Sequence, residues 1–412
     1  MSTTPTARPS LKPLDDALAE LLAQAVPLDG ADSVSTFEAD GRVLAQDVLS
    51  ALQVPPQDNS AMDGYAVRSA ELAAGPAELP VSQRIPAGSA GAPLAAGTVA
   101  RIFTGAPIPP GADAVVMQED CEAVREGVVR VNQAPPPGQW IRRAGEDVAR
   151  GARVLSKGER LTPASIGLVA SIGLDRLQVA RRPRVALFST GDELVMPGEV
   201  PPEAMKPGAI YNSNRFFLRS LLRRLGCEVT DLGIVPDDRQ ATLDALRAAA
   251  QAHELILTSG GVSVGEEDHI KPAVQQLGSL DLWSVAIKPG KPFAYGTVGA
   301  AHFIGLPGNP VSSFVTFLLL VRPFLLKLQG VTQLAPAAIR LPAHFAWPRA
   351  DRRREFLRAR RDAEGGLALF PNQGSGVLTS AVWGDGLIDN PPGQVIAAGD
   401  LVRFIPFSEL LA

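Results

Sequence analysis

A chain of 412 residues exceeds what one hydrophobic core usually organises, so three or four domains are expected. A formal net charge of −4 supplies no global field for nucleic acid or an anionic membrane, and neither is expected as a partner. The two cysteines, Cys121 and Cys227, lie far apart without CxxC or Cys/His spacing, which argues against a disulfide framework or structural zinc and fits a reducing cytoplasm.

The first residues, MSTTPTARPSLKPLDD, contain no apolar signal-peptide core, and residues 1–10 read as a disordered tail. Leu14, Ala17, Leu18, Leu21 and Leu22 have helical spacing, which predicts an amphipathic helix over residues 13–25. Residues 51–144 hold short strand-like runs (VARIF, VVM, GVVRVN) between PIPPGAD and APPPG, the pattern of a β-rich insertion domain. A strand, a turn and a helix opened by Thr162 and Pro163 follow. Residues 11–50 and 145–180 are expected to form one α+β linking domain on either side of the insertion.

Residues 181–329 alternate strand-like runs (RVALFS, VTDLGIV, ELILTS, HFIGLP) with helical patterns. The expectation is a largely parallel sheet covered on both faces, a three-layer α/β/α domain. The apolar run at residues 314–321 is too short to span a bilayer. Residues 330–412 return to strands and turns, as a small C-terminal β domain. The fold class is therefore α/β multidomain.

In an open parallel sheet, ligands bind beyond the carboxyl ends of the strands. Three glycine-bearing loops leave such ends. STGDEL, residues 189–194, supplies Ser189, Gly191, Asp192 and Glu193. SGGVSVGEED, residues 259–268, supplies Ser259, Gly260, Gly261, Ser263 and Asp268. GLPGNPVS, residues 305–312, supplies Pro307, Gly308, Asn309 and Ser312, with Asn309 placed to cap a helix beginning at Pro310. Three such loops in one domain point to a phosphate-bearing ligand.

Carboxylates collect at the same ends: Glu193, Asp237, Asp238 and Asp268. A hard cation bridging phosphate oxygens uses such groups. Helix capping is the alternative, since Asp237 and Gln240 have capping-box spacing and Asp268 could cap its own helix. Lys288 and Lys291 on AIKPGKPF could counter an oxyanion or belong to an exposed turn. The arginines of residues 349–361 read first as a solvated face, although one could enter a cleft. DNSAMDGYA, residues 58–66, places Asp58 and Asp63 around a bend that Gly64 would permit. These carboxylates either hold a cation or polar ligand, or bond their own backbone with Asn59. His269 and His302 show no ligand spacing, and no Ser-His-Asp or Cys-His arrangement is visible.

The chain closely resembles the MoeA-type molybdopterin molybdenumtransferase family, related to the E domain of gephyrin. The resemblance runs from about residue 11 to the C-terminus. It rests on DNSAMDGYA, IFTGAPIPPGADAVVMQED, STGDEL, SGGVSVGEED, AIKPGKP and GLPGNPVS in this order. It implies a four-domain chain in an elongated homodimer, residues 181–329 being the molybdopterin-binding domain and the linking domain serving dimerisation. The cleft would draw on both subunits. It also implies a cytoplasmic transferase of molybdenum cofactor synthesis that inserts molybdate into adenylated molybdopterin and releases AMP, assisted by a divalent cation, Mg2+. A molybdopterin adenylyltransferase would be the upstream donor.

By motif position the resemblance implies roles for Asp58, Thr104, Glu193, Asp237, Asp268 and Lys288, with Glu193, Asp237 and Asp268 on the metal. Arg358 and Ser375 look like its C-terminal anion contacts. Ser284 stands where many relatives have lysine, so an oxyanion contact is lost, weakened or supplied by Lys291. Two rivals remain: an adenylyltransferase, which needs only residues 181–329, and a non-enzymatic cofactor-binding scaffold.

Overall fold

The structure, a computed structural model, describes residues 11–261 and 269–411. The expected tail of residues 1–10 lies outside the described residues, as do Ser263 and Asp268.

At the centre is a six-stranded sheet in the order Glu228–Val235, Arg184–Thr190, Leu255–Ser259, Ala301–Leu306, Pro292–Val298, Gly278–Ser284. The first four strands are parallel, and the last two extend the sheet antiparallel. The antiparallel edge escaped the sequence reading because Gly278–Ser284 alternates only briefly, at Leu280 and Leu282, and most of it, Leu282 included, is solvent-exposed. Successive side chains of a strand point to opposite faces. Val185 and Leu187 accordingly pack with the helices Asn214–Arg224 and Pro310–Thr316, while Ala186 and Phe188 pack with Arg239–Ala252 and Ile270–Leu277. Three layers result, as the alternation of elements predicted.

The helical run Pro310–Leu328 is one 19-residue element, long and apolar enough to cross a membrane, but 89% of its apolar window is buried inside the protein. A π-turn at Phe317–Val321 precedes Pro323. That widening removes the clash a proline ring makes with the carbonyl one turn back. The amino-terminal helix, Leu14–Gln24, lays Leu14, Ala17 and Leu21 against the same core, beside Phe317 and Leu318.

Three smaller bodies surround this centre. Leu44 and Val48 pack with Val148, Leu161 and Val179, and strand Ala31–Ser35 pairs antiparallel with Arg176–Ala180. The Thr162 hydroxyl accepts the Ser165 N–H at 3.2 Å and caps the helix Pro163–Ser171. A second six-stranded sheet runs Ala114–Met117, Gly64–Val67, Val99–Ile102, Ala77–Ile85, Val128–Val131, Cys121–Arg125. The C-terminal sheet runs Ile287–Lys288, Arg354–Arg361, Gly386–Asn390, Leu401–Pro406, Ile339–Pro342. Its first strand therefore comes from the lysine turn of the central unit.

Gly64 has a different role from the bend read in the sequence. It lies within a strand, paired with Ile102 on one side and Met117 on the other. A Cβ there would overlap the Val116 carbonyl. Close backbone approach, not turning, requires glycine at this position. Gly64→Ala is expected to lower stability by about 1–3 kcal/mol in urea unfolding, as overpacking does; an unchanged midpoint would show that the strands can spread at no cost.

Candidate active site

The strand order puts a topological switch point between Arg184–Thr190 and Leu255–Ser259. The chain leaves the first strand towards Glu228–Val235 on one side, while Leu255–Ser259 begins the opposite half. Loops diverge at such a point and leave a crevice beyond the carboxyl ends. A cleft of about 810 Å³ occupies this place. All three glycine loops reach it, through Gly191 and Glu193, then Ser259, Gly260 and Gly261, then Pro307, Gly308, Asn309 and Ser312. Asp237 lines it as well. Ser189 is fully buried beside the lining residue Thr190 and is not itself in the lining; its hydroxyl has no hydrogen-bond partner. Asp192 is exposed and stands outside the lining.

The two aspartates after Glu228–Val235 divide their work. Asp238, not Asp237, caps the helix Arg239–Ala252, its carboxylate accepting the Ala241 N–H at 2.8 Å. Asp237 is left facing the cleft, with no hydrogen bond or ion pair to any described residue. The Glu193 carboxylate is equally unengaged, although the residue's backbone carbonyl accepts the Ile210 N–H at 2.8 Å. Its carboxylate folds over Gly191, where φ is +140° and a Cβ would lie 2.5 Å from an oxygen of Glu193. Two carboxylates without protein donors thus border one cleft. Oxygen-only donors suit a hard cation, and Mg2+ commonly takes one or two carboxylates with substrate phosphates and water. The donor set fits such an ion, although no cluster of three metal-ligating side chains occurs among the described residues.

The third loop departs from expectation in detail. Asn309 occupies the cap position, but its side chain makes no capping bond. One N–H of that helix end is already taken, since Val311 donates to the Ser375 carbonyl at 2.9 Å. Ser375 therefore sits at the cleft margin through its backbone, and its neighbour Gly376 lines the cleft.

The basic groups sort by their partners. The Lys288 ammonium bonds Glu355 at 3.0 Å and Asp351 at 3.3 Å. Glu355 is fully buried and also accepts Trp347 Nε1 at 2.9 Å. Arg353 beside Asp351 holds that carboxyl far below the usual carboxylate range, first through its own side-chain hydrogen bond. Lys291 is exposed; its carbonyl accepts the Val285 N–H at 2.8 Å, but its ammonium has no hydrogen bond or ion pair with a described residue. It adjoins Pro292, which lines the cleft and lies opposite Ser284 in the sheet.

The arginine strand is not a solvated face. Arg358 is fully buried, donating to Ser380 Oγ at 3.0 Å, the Phe356 carbonyl at 3.1 Å and the Gly374 carbonyl at 3.3 Å. Burial pushes its guanidinium down to about 10. Its Gly374 contact supports the loop that carries Ser375. Arg360 and Arg361 at the strand end are exposed.

Asp58 and Thr104 are not among the residues lining this cleft. Asp58 accepts the Ala144 N–H at 2.8 Å and Arg143 at 2.6 Å. Those contacts, the backbone N–H foremost, hold its carboxyl below the usual range. Asp63 accepts both the N–H and the hydroxyl of Thr104, at 2.7 and 2.8 Å. Both side chains tie distant loops together; neither of these side-chain bonds closes a local turn.

Several site residues went unread in the sequence. Tyr211, Asn212, Ser213 and Asn214 line the cleft, and Asn214 donates to the Gly308 carbonyl at 2.7 Å. The cluster of Asn and Ser before NRFFLRSLLRR was an available helix-start signal. Glu355 carried no comparable signal.

Family models match three successive stretches: the MoeA N-terminal region (domains I and II) at residues 12–173, a probable molybdopterin binding domain at 186–327, and the MoeA C-terminal region (domain IV) at 340–407. A molybdopterin molybdenumtransferase of Haemophilus influenzae is 40% identical over 97% of this chain and 99% of its own length. One from Synechococcus elongatus is 38% identical over 94% and 97%. Gephyrin of Dictyostelium discoideum is 33% identical over 78% of this chain and 50% of gephyrin. A crystal structure of the molybdopterin biosynthesis MoeA protein from Pyrococcus horikoshii matches with a TM-score of 0.84 at 29% identity, covering 96% of this chain and 100% of that one.

The lysines separate by stability. Lys288→Ala leaves the buried Glu355 without its cation and is expected to cost about 1–3 kcal/mol in urea unfolding. Lys291→Ala should stay within about 0.5 kcal/mol of the parent. Equal losses would mean that Lys291 also has a structural bond.

Proposed function

The chain belongs to the MoeA family of molybdopterin molybdenumtransferases, and from that premise we propose that it inserts molybdate into adenylated molybdopterin with release of AMP. The observation that carries the reading is the meeting of three glycine loops with the unpartnered carboxylates of Glu193 and Asp237 in one cleft at the switch point. The loops present backbone and hydroxyl donors for phosphate and adenylate groups. Lys291 supplies an exposed, unpaired positive charge beside the cleft for a tetrahedral dianion, while Lys288 is held by Glu355. Arg358 and Ser375 shape the opposite margin. A molybdopterin adenylyltransferase supplies the adenylated substrate.

Glu193 and Asp237, joined by Asp268, would hold Mg2+, which when bound neutralises phosphate charge. The chain's own residues orient the adenylate and exclude water around it. A scaffold that only stored the cofactor would not need these carboxylates bare.

AMP release should require molybdate. Purified protein given adenylated molybdopterin, Mg2+ and molybdate should release AMP; equal release without molybdate would contradict insertion. Formation of adenylated product from ATP and molybdopterin would favour the adenylyltransferase reading. Charge-assisted contacts contribute about 1.5–3 kcal/mol. Glu193→Gln and Asp237→Asn should therefore raise the Mg2+ needed for half-maximal turnover roughly ten- to a hundred-fold.

The active form in this proposal is a homodimer in which Asp58 and Thr104 of a second copy complete the cleft. At a Mg2+ concentration low enough that Asp58→Asn and Asp237→Asn are each inactive alone, an equal mixture of the two protomers should then recover roughly a quarter of parental activity, because half of randomly paired dimers carry one intact site. No recovery after verified subunit exchange would place both residues in one chain's site.

A further inference from the structure

A second cavity, about 850 Å³, opens between the amino-terminal segment and the C-terminal sheet, and no residue lines both it and the cleft. Arg340, Arg352, Arg354 and Arg403 line it together with Asp15 and Asp389. Four guanidinium groups against two carboxylates leave a lining charge of +2 (4 − 2).

The carboxylates are already engaged. Arg354 grips the buried Asp389 at 2.6 and 2.7 Å and also bonds Asp15 at 2.9 Å. Arg403 approaches Asp389 at 3.4 Å. Arg340 and Arg352 are exposed, and their guanidinium groups make no hydrogen bond or ion pair with any described residue. Arg340 also lies directly opposite Arg403 in the antiparallel register. Like charges in that position destabilise a sheet. The helix Leu14–Gln24 begins on the same wall, with Pro13 at its cap and no side-chain cap bond. Its positive dipole end adds to the excess.

We propose that this cavity is an oxyanion-binding site, separate from the cleft, that takes a phosphate group on Arg340 and Arg352 with Arg403 behind them. Guanidinium forks match tetrahedral oxyanions. Leu14 and Leu401 on the walls leave room for an organic part on the phosphate. The opposed arginines cost stability that an anion returns on binding. The proposal does not depend on the reaction assigned to the cleft.

Calorimetric titration at low salt, with inorganic phosphate and with phenyl phosphate, tests it. The parent protein should bind phosphate, more weakly as ionic strength rises. Arg340→Ala with Arg352→Ala should weaken this binding roughly tenfold or more, with AMP-releasing turnover unchanged. These two side chains are exposed and unbonded, so the pair of changes spares the Asp389 cluster. Arg340→Glu faces Arg403 with the opposite charge; it should raise the melting temperature and abolish phosphate binding, which separates loss of the site from loss of the fold. Tighter binding of phenyl phosphate supports an organic ligand, and equal binding supports free phosphate. Absence of phosphate binding to the parent, or unchanged affinity in the double variant, would overturn the proposal.

Discussion

Parallel strands end with their polar backbone groups pointing the same way, and where the connections turn to opposite sides nothing covers those ends. The rest of this molecule is arranged around that constraint. Ser189 and Ser259 lie buried at adjacent strand ends, paired in register. Small residues in the loops beyond them let neighbouring backbones converge. The carboxylates of Glu193 and Asp237 can stay unpartnered because this crevice gives them access to solvent and ligand, avoiding the penalty of burying charge without partners.

The cleft has a second wall because the C-terminal sheet is locked to the central unit. Ile287–Lys288 leaves the lysine turn and pairs with Arg354 and Glu355. The Lys288 ammonium on the buried Glu355 carboxylate closes the same seam. The Val311 bond to the Ser375 carbonyl adds a contact at the cleft margin. A lysine that reads as a ligand contact in sequence is thus first a bond between bodies. Its neighbour Lys291 keeps its charge free. The same split occurs at Asp237 and Asp238, where one carboxylate caps a helix and the other remains open. In both cases adjacent or near-adjacent residues of one type serve structure and ligand separately.

Much of the fold was legible. The apolar runs around residues 184, 229, 254 and 302 became the four parallel strands, and the helix read over 13–25 spans Leu14–Gln24. The glycine loops were placed at strand ends, and ten of their residues and carboxylates meet in one cleft: Gly191, Glu193, Asp237, Ser259, Gly260, Gly261, Pro307, Gly308, Asn309 and Ser312. The antiparallel edge was not legible, since the largely exposed strand Gly278–Ser284 keeps only a brief apolar alternation. The arginine run of residues 349–361 read first as a solvated face because charge in sequence signals exposure, whereas at Arg358 three hydrogen-bond acceptors receive a buried guanidinium.

Sequence by itself determined the periodicities, the order of the elements and the chemistry carried by each loop, because these depend on residues within a few positions of one another. It also sufficed to indicate the family, through motifs whose order is local text. Only the tertiary structure decided which charges are spent and which remain free. Asp58 meets Arg143, Lys288 meets Glu355 and Arg340 faces Arg403. Each of those pairings joins residues more than sixty positions apart. Long-range pairing is set by strand register and by the packing of separate bodies, and neither is written in the spacing of neighbours.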